Sequence, residues 1–444
     1  VTGAHVARRQ IRLPIRPYVI PVTLLFCAEV MSGETVFVLA VAYVAVTSVL
    51  RHRFVTPPPL FFPLAMIAGV GFFVTIYDSA FSRDAVKGFY YMIRPVVFLY
   101  VGFYLSRTQM RYRTLVNAAL IVAGVLSLYY AAGYVLNPEV ADAGRYALRE
   151  ALGTGYMVVP IALFLVLSHY KIERDIVLIG ALSAVYVGAI LLSDSRSAII
   201  VFMTLMIAKY FPKPLFSLGA VLLAVLLYFI TTPYIDSFFT TTSLTTMLDK
   251  LPSGVAELVP VERYFDKDVN DGWRGYEVYR AFTFVWEHPV LYRIFGTGWH
   301  SQVPILWKIL LGDELLDAIP VFHSGFSTLL VRAGYFGIFM FVVQIALLGS
   351  FFSSTKVEND HAREIQTLGL GIAGSLVVLT PLIGGIYNPG STSQVFLLFL
   401  GYCVGRHQLD IREVPRRKKT YRLFKTGPRR RMPRAGFAGR RVEY

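Results

Sequence analysis

The stretch His323-Ser324-Gly325-Phe326-Ser327-Thr328-Leu329-Leu330-Val331-Arg332-Ala333-Gly334-Tyr335-Phe336-Gly337 opens an apolar run that continues to Phe351. A membrane crossing needs about 20 apolar residues, rising 1.5 Å each through a hydrocarbon core of about 30 Å. The run meets that length and predicts a membrane helix over 325–351. Gly334 and Gly337, three apart, would share one helical face and let a neighbouring helix approach closely. His323 stands at the mouth of this helix, where an imidazole is able to take or give a proton at ambient pH. A single histidine in such a place is as readily an interfacial polar residue with a satisfied hydrogen bond, so the remainder of the chain has to decide its meaning.

The same apolar pattern recurs from end to end. Runs broken by short polar segments predict helices at 17–31, 35–50, 59–77, 89–106, 114–135, 155–170, 175–193, 197–208, 214–232, 325–351, 366–386 and 392–405, about twelve spans in all. Composition agrees: 55% of the 444 residues are hydrophobic, only 16% are charged, and the mean hydropathy is +0.56. A soluble chain has about a quarter of its residues charged, so the fold expected is an all-α polytopic membrane protein. The first run follows Arg8, Arg9, Arg12 and Arg16 and superficially resembles a signal peptide. No small-residue cleavage site is evident and further spans follow directly, so it is expected to be retained. Cys27 and Cys403 lie far apart in apolar runs and read as buried thiols, without a disulfide framework or a CxxC metal signal.

The formal charge of +15 would suggest a nucleic-acid partner in a soluble protein. Here much of it sits between Arg406 and Arg441, including Arg416-Arg417-Lys418-Lys419 and Arg429-Arg430-Arg431. Beside a last membrane helix such a segment reads as a disordered cytoplasmic anchor for anionic membrane lipids, not as a nucleic-acid site. The positive-inside rule orients the rest. With residues 1–16 in the cytoplasm, Arg51/Arg53, Arg107/Arg111/Arg113, Lys171/Arg174, Lys209/Lys213 and Lys356/Arg363 all fall on that side. The opposite side receives 78–88, 137–155, 193–196, 233–322 and 388–391. The chain thus divides into a basic N-terminus (1–16), spans one to nine (17–232), a large outer loop (233–322), spans ten to twelve (323–405) and a basic tail (406–444). Arg196 and His323 face the same outer compartment.

The segment 233–322 is too long for a plain connection and is where function is expected. Asp271 is placed to cap a helix from about Trp273 to Glu287, along which Tyr276, Tyr279, Phe282, Val285 and Trp286 make an apolar stripe suited to a lipid or protein interface. Arg274 lies in its first turn, where the helix dipole disfavours a cation, so an anionic partner is implied. Pro289 ends the helix, Gly296-Thr297-Gly298 makes a turn before Trp299, and a second apolar stretch, 303–311, precedes His323. Asp266-Lys267-Asp268-Val269-Asn270-Asp271-Gly272 with Glu277 imitates a calcium loop, but its glycine comes one place late and Arg274 would sit among the ligands. Capping and a solvated loop fit better, and no metal is expected.

Ser195-Arg196-Ser197-Ala198 at a helix entrance, Arg274 followed by the Gly296-Thr297-Gly298 turn, and His323-Ser324 with its trailing glycines stand in that order on one side of the membrane. Together they resemble the O-antigen ligase and O-antigen polymerase family of bacterial envelope glycosyltransferases. In that family a Ser-Arg-Gly-Ala-like segment, an outer loop with arginine, helix, proline and Gly-x-Gly turn, and a His-Asn-type motif occur in the same sequence. The resemblance covers roughly Ser193 to Gly337 and the overall topology. Ser197 replaces a glycine, Ser324 replaces the asparagine, and Arg332 stands where an acidic residue is common.

The resemblance implies a GT-C-like inner-membrane enzyme that needs no cofactor and moves a glycan from an undecaprenyl-diphosphate carrier to an acceptor hydroxyl on the periplasmic face. The acceptor implied is the lipid A core for a ligase, a second carrier-linked unit for a polymerase, or a protein hydroxyl. Negative charge grows on the departing diphosphate, and guanidinium groups suit it because they stay charged and grip phosphate through a planar fork. Arg196 and Arg274 are the candidates for that role, and His323 for the general base. Ser195, Ser324, Gly296, Gly298 and Arg332 are further candidates for substrate contact. Arg94, Arg145 and Arg149 also fall on the outer side, where snorkelling to water explains them as well. A transporter or flippase of the lipid-linked sugar is the rival from another class. It would be expected to carry polar groups and broken helices at mid-membrane in two related halves.

Overall fold

A computed structural model describes residues 16–50, 54–78, 81–108, 110–137, 156–169, 172–193, 195–211, 273–311, 314–319, 322–353, 359–383, 385–387 and 392–426, with positions 139 and 152. Helices stand where the apolar runs are: α1 (Arg16–Val30), α2 (Gly33–Leu50), α3 (Phe62–Tyr77), α4 (Arg83–Arg107), α5 (Tyr112–Leu136), α6 (Val158–His169), α7 (Ile172–Ser193) and α8 (Arg196–Tyr210). After α9 (Trp273–Glu287), α10 (Val290–Phe295), β1 (Val303–Leu311) and β2 (Glu314–Ile319) come α11 (Gly325–Ser353), α12 (Asp360–Ile383) and α13 (Thr392–Thr426). Among the described residues seven helices are long and apolar enough to cross a membrane, and Tyr18–Val30, Val158–His169 and Ser197–Tyr210 are apolar but shorter. The span expected at 214–232 lies outside the described residues. α13 continues past its expected end at 405 as far as Thr426, so the tail expected from 406 begins as helix.

The centre of the bundle is built on close backbone approach. A Cβ placed on Gly102 of α4 would lie 2.0 Å from the Leu398 carbonyl oxygen, and one on Gly401 of α13 would lie 1.9 Å from that of Leu99. Without such side chains the two helices seat backbone against backbone, the packing that small residues make available where water supplies no driving force between helices.

The structure is predominantly helical, but the apolar stretch before His323 forms an antiparallel hairpin, with Val303 paired to Ile319 and Leu311 to Glu314. Val303 and Ile305 turn inward while Pro304 between them is exposed, the two-residue alternation of a half-buried strand. Val303, Ile305 and Ile319 join Tyr276, Ala281 and Val285 of α9 and Leu330 and Val331 of α11 in a second hydrophobic core, separate from the main one.

α11 also departs from expectation. It breaks at Gly334, whose φ of 65° and ψ of −163° lie outside helical space. Gly334 is therefore not a small residue on a continuous helix face. It is a hinge that only glycine adopts without strain, and a Cβ on it would lie 2.3 Å from the Ile294 carbonyl oxygen.

The two ends of the bundle can be told apart from contacts alone. Gln366 of α12 donates to the Phe352 carbonyl near the end of α11, and Lys209 near the end of α8 donates to the Leu167 carbonyl at 2.9 Å near the end of α6. Lys209 also feels the charge of Glu364, in the second turn of α12. These residues share one end, which leaves Ser195 at the start of α8 and Ser324 at the start of α11 at the other.

Candidate active site

His323 is held by a carboxylate. Its backbone N–H donates to Glu277 Oε2 at 2.9 Å, and its ring Nδ1 pairs with Glu277 Oε1 at 2.9 Å. An ionised carboxylate can only accept, so the proton of this second bond belongs to Nδ1, which makes Nε2 the nitrogen that carries the lone pair in neutral imidazole. Exposure is divided in the same sense: the Glu277 side chain is 1% exposed and that of His323 53%. A buried acid thus orients an accessible imidazole, which is the arrangement of a general base and its orienting carboxylate.

Glu277 is brought there by α9. The stripe read from the sequence has three- and four-residue spacing, and each of its three-residue steps, from Tyr276 through Tyr279 and Phe282 to Val285, advances about 300° and so slips by about 60° around the helix. The face that is buried instead carries Tyr276, Glu277, Arg280, Ala281 and Val285, while Phe282 and Trp286 point outward and stack at 5.8 Å. Two charged residues on the buried face were the missed signal. Arg280 Nε and Nη2 donate to the Pro304 carbonyl at 3.2 and 2.8 Å, tying α9 to β1, and Glu277 faces the entrance of α11. Glu277 is engaged with His323, which removes it from the calcium-like series. Asp266 to Gly272, including the expected cap Asp271, lie outside the described residues.

Ser324 Oγ accepts from the Ser327 N–H at 3.4 Å and Ser195 Oγ from the Ala198 N–H at 3.3 Å, so both serines are buried N-caps of the helices they open. Arg196 and Arg274 lie in the first turns of α8 and α9, and their side chains fall outside the described set.

Gly296, Gly298 and Arg332 come together at the break in α11. Gly296 and Gly298 take φ of 78° and 85°, and a Cβ on Gly296 would lie 2.3 Å from Ala333 N. The Thr297 N–H and Oγ1 both donate to the Val331 carbonyl, at 2.7 and 2.9 Å, so the turn plugs the break in α11. Trp299 then lies between Phe72 of α3 and Phe89 of α4, with ring centroids 5.1 and 4.9 Å away, and its backbone N–H donates to Thr75 Oγ1 at 2.8 Å. Tyr292 of α10 adds a bond to Asp78 Oδ1 at 2.7 Å, which raises its phenol above the ordinary range. The glycine turn therefore docks the segment that carries α9 and α10 onto the bundle.

Arg332 is buried in the short helical piece between His323 and the break. Its Nη1 donates to the Gly88 carbonyl at 3.3 Å and its guanidinium lies 5.5 Å from the Tyr91 ring centroid. The opposite side of the count belongs to Arg94 of α4, also buried, 5.9 Å from the same ring and 3.4 Å from Ser393 Oγ. Snorkelling does not describe Arg94. Arg145 and Arg149 lie outside the described residues.

Residues 176–342 match the family model described as O-antigen ligase. Over this stretch, 167 of the 444 residues, the chain is similar to the O-antigen ligase family. The matched range runs from α7 through α8, the outer segment and the break of α11, and so contains both Glu277 and His323. No curated protein matches the chain. The apolar helices and this match point to a membrane protein, and the match supports an O-antigen ligase or polymerase type of function in general.

Proposed function

We propose that the chain is an inner-membrane glycosyltransferase that moves a glycan from undecaprenyl diphosphate to an acceptor hydroxyl on the periplasmic face, with the lipid A core as acceptor. The observation that carries this reading is the His323–Glu277 pair inside the O-antigen ligase domain. The acceptor O–H gives its proton to His323 Nε2 as its oxygen forms the new bond to the anomeric carbon. The bond from that carbon to the carrier oxygen breaks, and undecaprenyl diphosphate leaves as an anion. Glu277 stabilises the imidazolium and holds the ring. Arg196 and Arg274, each at the first turn of a helix in this domain, neutralise the diphosphate, so the transfer step itself requires no divalent cation. In the same reading the N- and C-termini are cytoplasmic, the bundle has twelve spans of a GT-C-like kind, and 233–322 forms the periplasmic loop.

A polymerase differs only in the acceptor, a second carrier-linked repeat unit. The test offers purified protein a carrier-linked glycan with lipid A core or with no acceptor other than the donor itself. Transfer to the core supports the ligase, and chain growth on the carrier the polymerase. His323→Ala should lower turnover by about a hundredfold or more with carrier binding nearly unchanged, because a general base acts in the transition state. A folded His323→Ala protein that transfers at the wild-type rate would remove the site and bring the transporter reading forward.

A further inference from the structure

At the end of the bundle away from His323, α6 stops at His169 and α12 begins Asp360-His361-Ala362-Arg363-Glu364. His169 Nδ1 lies 3.2 Å from Glu364 Oε2, His361 Nδ1 lies 3.8 Å from the same oxygen, and one donor atom from each residue lies within 4.8 Å of the others. A tetrahedral zinc with bonds of about 2.1 Å sets its ligands roughly 3.4 Å apart, so two edges are near their final length and the third needs a modest rotation of His361. That ring is 42% exposed and free to make the adjustment on its solvent side. The surroundings also suit a metal. The Glu364 carboxylate also has the buried Tyr112 hydroxyl as a side-chain hydrogen-bonding neighbour, a group able to orient it behind a metal. The Tyr112 ring meets His361 edge-on at 4.9 Å on the side away from solvent.

We propose that His169, His361 and Glu364 form a binding site for a divalent transition metal of the zinc class. Charge and ligand type select the ion. Glu364 is the one carboxylate of the trio, beside two imidazoles. Calcium and magnesium need several oxygens and gain little from imidazole, whereas two neutral nitrogens and one carboxylate with a fourth position open to water are a zinc-type set. The metal would staple the end of α6 to the start of α12, two helices that both pack on α8. It lies at the other end of α11 from His323, so its role is structural and stands apart from glycan transfer.

The full chain, purified in detergent with any histidine tag removed, is stripped with chelator, reloaded with Zn²⁺, desalted and analysed for metal, and reloaded separately with Co²⁺ for its visible absorption. Wild-type protein should retain one Zn²⁺ per chain and show the intense bands of tetrahedral Co²⁺. His361→Asn and Glu364→Gln, both checked for monodisperse elution, should retain less than about a tenth as much, since each removes one of only three protein ligands. His323→Ala should keep the full complement, which separates this site from the proposed transfer site. No retained zinc in the wild type, or equal zinc in the wild type and both variants, overturns the site.

Discussion

Replacing Glu277 by glutamine tests the dyad more sharply than replacing the histidine. The amide keeps the size of the side chain, and its oxygen can still accept from the His323 N–H, now made at 2.9 Å. What it loses is the charge opposite Nδ1, also at 2.9 Å. A hydrogen bond to a charged group is worth about 1.5–3 kcal/mol net, which at about 1.4 kcal/mol per tenfold corresponds to roughly ten- to 150-fold in rate if it is expressed only as the imidazolium forms. Tautomer choice adds to this. The amide nitrogen donates, so Nδ1 would become the acceptor and the proton would move to Nε2, leaving no lone pair for the acceptor hydroxyl. In the serine-protease triad the matching acid-to-amide exchange lowers turnover by about ten-thousandfold. The expectation for Glu277→Gln is a fall in kcat of roughly a hundred- to ten-thousandfold with KM little changed. The assay is transfer of labelled glycan from a synthetic carrier diphosphate by protein shown to elute and unfold as wild type. A folded variant with more than about a third of wild-type turnover would mean that His323 is not oriented by this carboxylate for proton transfer.

Gly334→Ala should destabilise the protein by at least about 1–3 kcal/mol from backbone strain alone, and more because the Cβ meets the Ile294 carbonyl; thermal unfolding in detergent reads this, and an unchanged midpoint would contradict the break in α11. Arg274→Lys keeps the charge but loses the fork and should clearly weaken transfer, while Arg196→Ala should be more damaging than Arg113→Ala at the opposite end; equal effects would argue against an anion clamp. In intact cells an impermeant thiol reagent should label a cysteine placed at Ser253 and not one at Thr426, and the reverse pattern would invert the orientation.

Hydropathy determined the helices by itself. A buried backbone in lipid has to satisfy its own hydrogen bonds, so long apolar runs such as 62–77 and 112–136 have one solution, and their positions could be read without any tertiary knowledge. His323 drew notice as a candidate for a related reason: a titratable ring at the entrance of an apolar helix stands out against its surroundings. The order of the short motifs around Ser195, Arg274 and His323 sufficed to indicate the family. Tertiary structure decided the rest. Glu277 lies 46 residues before His323, and the carboxylate's partner depends on which side of α9 is buried, a matter of helical phase that steps of three misjudged. Gly334 looked like a packing glycine because sequence spacing carries no φ, and only the turn at Gly296 reveals why the helix breaks there. The His169–Glu364 contact joins residues 195 apart, and nothing local marks it. Apolar length is a property of one segment and is written in that segment, whereas a site is a property of which segments meet, and that is set by packing between faces far apart in the chain.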